Sequence, residues 1–343
     1  MKRLLKLLAP MMGAVLALTS CGWTDDPAPA PDAADGQTTT VDYAPGNPVL
    51  PKDTDKVIRI GVSFPLLDQF LQNVANAIEA RAKEINDKAG KEVVQVTVVS
   101  ADEKIEVQLN QVETFVTDKV DALIVLPQDT ATTSQITQKA QAENIPLIYV
   151  NRRPKDLPDG IPYVGSDSLI SGQLEMEELA KLVDHKGNVA ILQGDTSQEA
   201  AQLRTKGCEE VAAKYNMPVV FSQTGLWKRE KGLELTENLL QSGAEVNVIC
   251  ANNDEMALGA ITALENAGKL NDVVVGGVDA TGDALNAMEA GKLEVTVFQD
   301  AKGQGQASVD TAITMINKDR VDDVINVPYQ LVTPENMDQY RNR

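Results

Sequence analysis

From Val57 onward, short runs of β-branched and aliphatic residues alternate with longer segments in which apolar residues recur every three or four positions. The short runs are typical of buried strands and the longer segments are typical of helices. Two of the predicted helices span Phe70–Lys88 and Leu174–Val183. The predicted strands are Val57–Val62, Val93–Val99, Ala122–Leu126, Leu147–Val150, Val189–Leu192, Val219–Phe221, Val246–Cys250, Val273–Val278, Leu293–Phe298 and Val327–Gln330.

The regular order of strands and helices predicts a mostly parallel sheet with helices on both faces. The first eight strand–helix units are more than one small doubly wound sheet contains, so we expect an α/β protein with two doubly wound lobes. A closed barrel of alternating strands and helices is the alternative that this order leaves open.

The first 20 residues are predicted to be a targeting segment. Basic residues precede a mostly apolar run, Leu7–Leu18, which is shorter than a membrane span. The run ends in L-T-S-C-G, which resembles the bacterial lipobox, in which the cysteine, here Cys21, receives a diacylglycerol. Two acyl chains are enough for stable membrane attachment. An ordinary secretory cleavage site with a chance cysteine is the alternative.

Residues 21–55 are rich in Pro, Ala, Asp, Gly and Thr and contain few large aliphatic residues. Such a composition buries too little apolar surface to fold. We therefore expect a flexible tether that spans on the order of 30 Å. It would hold a globular body near a membrane, outside the cytoplasm.

Charge and the rarer residue types exclude several functions. The 343-residue chain has 50 acidic and 31 basic side chains, a net charge of -19, which argues against nucleic acid as a partner. Cys208 and Cys250 are interpreted as buried small apolar residues, and a bridge between them stays open in an oxidising compartment. The single histidine, His185, lies near the end of a predicted helix, where it suits the helix dipole.

Polar and aromatic residues follow the predicted strands, at the sheet edge where open α/β sheets bind ligands. The clearest example is V-I-C-A-N-N-D, residues 248–254. Each residue also has a structural explanation, since Asp68 and Asn253 suit helix N-caps, Trp227 suits a core and Arg204 suits an exposed helix face. The candidates are Phe64, Asp68, Phe70, Asn151, Arg152, Arg204, Trp227, Asn253, Asp279 and Gln299.

This set of side chains suits a polyhydroxylated ligand. Each hydroxyl donates and accepts, so carboxylates, amides and guanidinium groups can bind neighbouring hydroxyls in pairs, while aromatic faces contact C–H patches. The sequence has no phosphate-binding glycine loop, no G-x-S-x-G elbow and no metal-ligand cluster. We therefore expect a binding protein without cofactor or metal, and not an enzyme. Glycosidase chemistry by Asp68 and Asp279 is a distant alternative.

Several motifs, in order, resemble the periplasmic monosaccharide-binding proteins of ABC importers. Among these the galactose/glucose-binding branch is nearest in pattern, with the ribose binders next. The motifs are I-G-V-S-F-P-L-L-D-Q-F-L (60–71), Y-V-N-R-R-P (149–154), Y-V-G-S-D (163–167), A-N-N-D-E-M-A-L-G-A (251–260), V-G-G-V-D-A (275–280) and V-P-Y-Q-L-V-T-P-E-N (327–336).

The resemblance implies two α/β lobes joined by three crossing segments that close on a sugar. It places an N-terminal lobe at residues 56–163 and 298–326 and a C-terminal lobe at 164–297 and 327–343. It also implies that Phe70 and Trp227 stack on a pyranose while the polar candidates hold its hydroxyls. The expected protein is a monomeric, lipid-anchored receptor that delivers a hexose to an ABC permease.

The chain departs from the galactose/glucose pattern near the ligand. Gln198 and Ala200 stand where that branch has His and Asp, and Gln299 stands where it has Asn. The lost carboxylate keeps an alternative ligand open: inositol, ribose, xylose or another polyol or signal, including one for chemotaxis. The stretch 184–188 lacks the branch's calcium loop, so no calcium is expected. A sugar-sensing repressor is disfavoured by the leader and by the net charge of -19.

Overall fold

The fold is known from a computed structural model, which describes residues 38–129 and 133–341. Within these residues no helix has both the length and the apolar character needed to cross a bilayer. The helices are α1 (Gln69–Ala89), α2 (Ile105–Thr117), α3 (Thr133–Ala142), α4 (Ser168–Leu182), α5 (Glu199–Lys214), α6 (Arg229–Gln241), α7 (Asp254–Asn266), α8 (Gly282–Glu289) and α9 (Ala301–Ile316). The strands are β1 (Thr40–Asp42), β2 (Ile58–Phe64), β3 (Val94–Ser100), β4 (Ala122–Val125), β5 (Leu147–Val150), β6 (Tyr163–Gly165), β7 (Val189–Gln193), β8 (Val219–Thr224), β9 (Val248–Ala251), β10 (Val274–Asp279), β11 (Val295–Phe298), β12 (Val324–Asn326) and β13 (Gln330–Val332).

The strands form two open sheets, one in each lobe. The N-lobe has a seven-stranded parallel sheet in the order β1-β12-β6-β5-β4-β2-β3, packed by α1, α2, α3 and α9. The C-lobe has six strands in the order β13-β11-β10-β9-β7-β8, with only β13 antiparallel to its neighbour, and is packed by α4 to α8. Central strands such as β4, β5 and β9 are buried along their whole length. The predicted two-lobed α/β fold is confirmed, and the barrel alternative is wrong.

The chain passes between the two sheets three times, at residues 166–167, 299–300 and 327–329. These crossings lie within three residues of the lobe boundaries expected from the sequence. The final strand predicted near Val327–Gln330 exists, but it begins later, as β13 at Gln330, because residues 327–329 form the third crossing. Pro328 has no N–H to donate to a sheet ladder at that point.

Residues 38–55 belong to the N-lobe, so the predicted tether is wrong for this part. Strand β1 pairs with β12, the backbone N–H of Val49 donates to Asp310 Oδ1 at 3.1 Å, and the Gly46 carbonyl accepts from Arg81 Nη1 at 3.1 Å. Arg81 is buried and Asp310 binds its guanidinium through both carboxylate oxygens. A buried ion pair thus fixes a segment whose composition alone predicts no fold. The earlier part of the predicted tether, the signal peptide and Cys21 lie outside the described residues.

Cys208 of α5 and Cys250 of β9 are fully buried and joined by a disulfide. Burial agrees with the interpretation of both as core residues. The bridge corresponds to the alternative that the sequence left open, and it is typical of proteins in oxidising compartments.

The order of the strands fixes where a ligand would bind. In the N-lobe the chain winds outward in opposite directions from β2 and β4, and in the C-lobe from β7 and β9. The carboxyl ends at such switch points form the crevice in which open α/β sheets bind ligands.

Candidate ligand-binding site

A small cavity lies between the two lobes at these switch points. Its volume is about 50 Å³. Its lining residues are Asp68, Phe70, Leu71, Asn151, Arg152, Gln198, Ala200, Arg204, Trp227, Asn253, Asp279 and Gln299. Apart from Phe64, every candidate residue expected from the sequence lies there.

Phe64 does not line the cavity. It is fully buried at the end of β2 and belongs to the apolar cluster of the N-lobe. Alternate residues of a strand face the same side, and Phe64 continues the series of Ile60 and Val62, which belong to the same cluster. The expected contact of Phe64 with a ligand is therefore corrected to a core position.

Asp68 and Asn253 each cap a helix, as their structural explanation predicts, and both also line the cavity. Asp68 Oδ1 accepts from the backbone N–H of Leu71 at 2.8 Å, and Asn253 Oδ1 accepts from that of Met256 at 3.1 Å. Burial raises the pKa of Asp68, an effect that the cap bond and the charge of Arg152 oppose. One oxygen of each side chain is thus committed to a helix terminus.

Three of the lining residues have left-handed backbone conformations. Asn151, Trp227 and Asp279 have φ of 63°, 66° and 127°, and Ala280 follows with 53°. Such values are uncommon for residues with a side chain and concentrate at ligand sites, where the surrounding structure holds them. Gly194 packs directly against the Trp227 ring. Only glycine fits at position 194, since a Cβ there would lie 2.2 Å from that ring.

The guanidinium of Arg204 is the centre of the polar network on the C-lobe side. Its Nη1 donates to the Asn252 carbonyl at 2.6 Å, and its Nη2 donates to the Tyr329 hydroxyl at 2.8 Å and to Gln299 Oε1. Asp279 Oδ1 lies 3.8 Å from Nη1, and burial raises the pKa of Asp279 while Arg204 opposes the shift. The Nε–H of Arg204 is buried and has no acceptor among the described residues, so a ligand oxygen could satisfy it.

Arg152 supplies the second guanidinium, from the N-lobe. It is buried, and its Nη1 donates to the carbonyls of Pro127 at 3.2 Å and Gln128 at 3.1 Å. Burial lowers the pKa of Arg152 to about 10, and the charge of Asp68 opposes that shift. Each lobe therefore brings one arginine and one aspartate to the cavity.

The two aromatic rings come from different lobes, Phe70 from α1 and Trp227 from the turn before α6. Trp227 Nε1 donates to Gln198 Oε1 at 3.1 Å, which fixes that amide at the start of α5. The Arg204 guanidinium lies 5.5 Å from the centre of the Trp227 ring. The cavity thus has one ring on each lobe and polar groups around it.

Tyr329 and the Asn252 carbonyl belong to this network and were not among the candidates predicted from the sequence; Tyr329 contributes a side chain. Its hydroxyl accepts from Arg204 and donates to Gln299 Oε1 at 3.1 Å. The residue lies in the third crossing, which was taken for a strand. An aromatic residue directly after Pro328 was the available signal.

The two open α/β lobes and the polar cavity between them define a two-lobed solute-binding protein. A family model described as a periplasmic binding protein domain matches residues 60–320, and the chain belongs to this family. The family implies an extracytoplasmic location.

Individual relatives cover most of the chain. It is 39% identical to a putative rhizopine-binding protein of Rhizobium meliloti. The aligned 292 residues cover 83% of this chain and 93% of the relative. It is 30% identical to a ribose import binding protein of Bacillus subtilis, over 81% of this chain and 88% of the relative. The structure of a Bacillus halodurans ABC transporter solute-binding protein with bound myo-inositol has 42% identity and a TM-score of 0.79, covering 85% of this chain and 99% of that one.

These relatives confirm the expected family but not the galactose/glucose branch. Their names refer to rhizopine, ribose and myo-inositol. The alternative prediction, that the same fold binds another polyol, agrees better with these names. They are named as binding proteins, in agreement with the expectation of a protein that is not an enzyme.

Proposed function

We propose that this protein binds a cyclitol of the myo-inositol type outside the cytoplasm and delivers it to an ABC permease. The observation that carries the proposal is a cavity between the lobes that is lined by an arginine, an aspartate and an aromatic ring from each lobe. The likeness to the inositol-bound structure, at 42% identity, supports the choice of a cyclitol.

The lining suits a ring that bears a hydroxyl on every carbon. Asp68 and Asp279 can accept hydrogen bonds, Arg152 and Arg204 can donate them, and the amides can do both. Phe70 and Trp227 would contact the C–H groups on the ring faces. Ala200 adds neither charge nor polar group at the place where the galactose/glucose pattern has a carboxylate. The site therefore requires no particular hydroxyl arrangement of the ligand at that point.

Binding would stabilise the closed arrangement of the lobes. Because the lining residues come from both lobes, a ligand can contact all of them only when the lobes are together. The three crossing segments are the only connections between the lobes within the described residues, so a hinged closure of this kind would bend there. The ligand would be released unchanged to the permease.

Calorimetric titration of the full chain with myo-inositol, ribose, allose, xylitol, galactose and glucose tests this function. We expect one-to-one binding that is tightest for myo-inositol, and recovery of the unaltered polyol after long incubation. Tighter binding of galactose or glucose would contradict the proposed ligand class. Conversion of any of them would contradict a binding function without catalysis.

We also propose that Cys21 carries the lipid that holds the protein at the membrane, with residues 21–37 as the tether. Metabolic labelling with a palmitate analogue checks this directly. The parent chain should be labelled and recovered with membranes, whereas Cys21→Ser should be unlabelled. Equal labelling of both would disprove the assignment.

A further inference from the structure

The disulfide between Cys208 and Cys250 lies directly behind the polar network of the cavity. Cys208 follows Arg204 by four residues in α5, so both lie on one face of that helix. Cys250 precedes Asn252 by two residues, and the Asn252 carbonyl accepts from Arg204 Nη1 at 2.6 Å. The disulfide and this hydrogen bond therefore close a ring between α5 and the end of β9.

Helix α4 holds the same two elements from a third side. Glu175 is fully buried, and its Oε1 accepts from the backbone N–H of Ala251 at 2.9 Å, next to the disulfide. A Cβ on Gly172 would lie 2.1 Å from the Arg204 carbonyl oxygen, so α4 and α5 are in direct backbone contact at Arg204. The backbone of Arg204 cannot shift toward α4, and the disulfide limits its movement away from β9.

We propose that the Cys208–Cys250 disulfide is a positioning crosslink for ligand binding. It holds α5 against β9 so that the Arg204 guanidinium stays on the Asn252 carbonyl and within the cavity wall. Without the crosslink, α5 has an additional freedom to slide along α4 and β9. The guanidinium then occupies several positions, and ligand affinity falls although the fold is kept.

The position of Arg204 can be read without any ligand. The chain has two tryptophans, Trp23 and Trp227, so a Trp23→Phe chain reports Trp227 alone. The Arg204 guanidinium lies 5.5 Å from that ring centre, and its displacement changes the near-ultraviolet circular dichroism and the emission of Trp227. In this background, Cys208→Ala with Cys250→Ala should change both signals.

The same pair of substitutions should have no further effect when Arg204→Lys is already present, because the group that the crosslink positions is then gone. Met217→Ala is the matched control, since Met217 belongs to the same buried cluster as both cysteines. It should leave the Trp227 signals unchanged. If the alanine pair lowers stability too far for measurement, Cys208→Val with Cys250→Ala restores buried volume without restoring the bridge.

The predicted effect of the disulfide on ligand affinity rests on the proposed function, and myo-inositol is the probe. Removal of the disulfide should weaken binding about 10-fold in the parent and by less than 2-fold in the Arg204→Lys chain. If the parent binds no polyol, the proposed function fails, and the Trp227 signals still decide the positioning role. Unchanged Trp227 signals without the disulfide, or the same change in Met217→Ala, would overturn it.

Discussion

Arg204 and Asp279 face each other across 3.8 Å, between Nη1 and Oδ1, with both side chains buried. This distance is too long for a direct hydrogen bond, yet burial strengthens the electrostatic interaction between the two groups. A ligand hydroxyl between them could accept from the guanidinium and donate to the carboxylate. The pair is therefore the place where we expect the ligand to complete a network that the protein leaves open.

Asp279→Ala should reduce polyol affinity about 10- to 100-fold without unfolding the protein, because the ligand loses a hydrogen bond to a charged group, which contributes about 1.5–3 kcal/mol. Calorimetry with myo-inositol measures the affinity, and circular dichroism monitors the fold. Asp272→Asn is the control, since Asp272 lies on the surface of the same lobe and its side chain is 69% exposed. An Asp279→Ala chain that binds like the parent would remove Asp279 from the site.

Tyr329→Phe should weaken binding about 2- to 10-fold, since a typical intramolecular hydrogen bond contributes about 0.5–1.5 kcal/mol and this one holds Arg204 in place. The ring is kept, so its contact with the Arg204 guanidinium, 5.7 Å from the ring centre, remains. Only the bonds of the hydroxyl to Arg204 and Gln299 are lost. Tyr215→Phe loses a hydroxyl that donates to Glu177; neither residue lines the cavity, so this chain should bind normally. Equal affinities of the parent, Tyr329→Phe and Tyr215→Phe would contradict a role of the third crossing in ligand binding.

Glu103 and Lys228 form an ion pair at 2.9 Å between the lobes, at the mouth of the cleft. Both side chains are nearly half exposed, so we expect a contribution below about 1 kcal/mol. Lys228→Gln should raise the ligand dissociation rate about 2- to 3-fold, and high salt should remove the difference. Stopped-flow Trp227 fluorescence measures the rate. Lys231→Gln breaks a comparable pair within one lobe, with Glu234, and should leave the rate unchanged.

Asp254 should make the protein less stable as the pH rises from about 4 to 7. Burial raises its pKa from 3.8 to about 7, although Thr281 and Thr296 donate hydrogen bonds to it. In that range the native state keeps a proton that the unfolded state has released, so the free energy of unfolding falls with rising pH. The shift corresponds to a loss of up to about 4 kcal/mol.

Urea unfolding at pH 4.5 and 7.5 measures this loss, and Asp254→Asn should reduce it. Burial also raises the pKa of Glu175 and Asp279, so part of the dependence should remain. Asp272→Asn should keep the full dependence. The same pH dependence in Asp254→Asn and the parent would show that Asp254 does not titrate in this range.

The sequence predicts the cavity well because strand ends are visible as local patterns. Asn151, Asn253 and Asp279 each follow a β-branched run, and parallel strands bring such positions to one sheet edge. Phe64 was misplaced because the direction of a side chain at a strand end depends on which face that strand buries. A shift of one residue along the strand turns the side chain to the opposite face of the sheet.

Contacts between distant segments were not predictable in the same way. Asp310 binds Arg81 across 229 positions, and the disulfide joins residues 42 positions apart. Tyr329 reaches Arg204 across 125 positions. No local pattern encodes such partners, so the end of the tether, the bridge and the contacts of Tyr329 all required the structure.

The pairing of β1 with β12 has a mechanical consequence. Strand β12 runs directly into the third crossing, and β1 is the element through which the preceding chain joins the folded body. A pull on the chain ahead of residue 38 is therefore borne by the N-lobe sheet and its buried Arg81–Asp310 pair. With the membrane attachment proposed at Cys21, the N-lobe would be the lobe held at the membrane, and the C-lobe would be the one that moves when the cleft opens and closes.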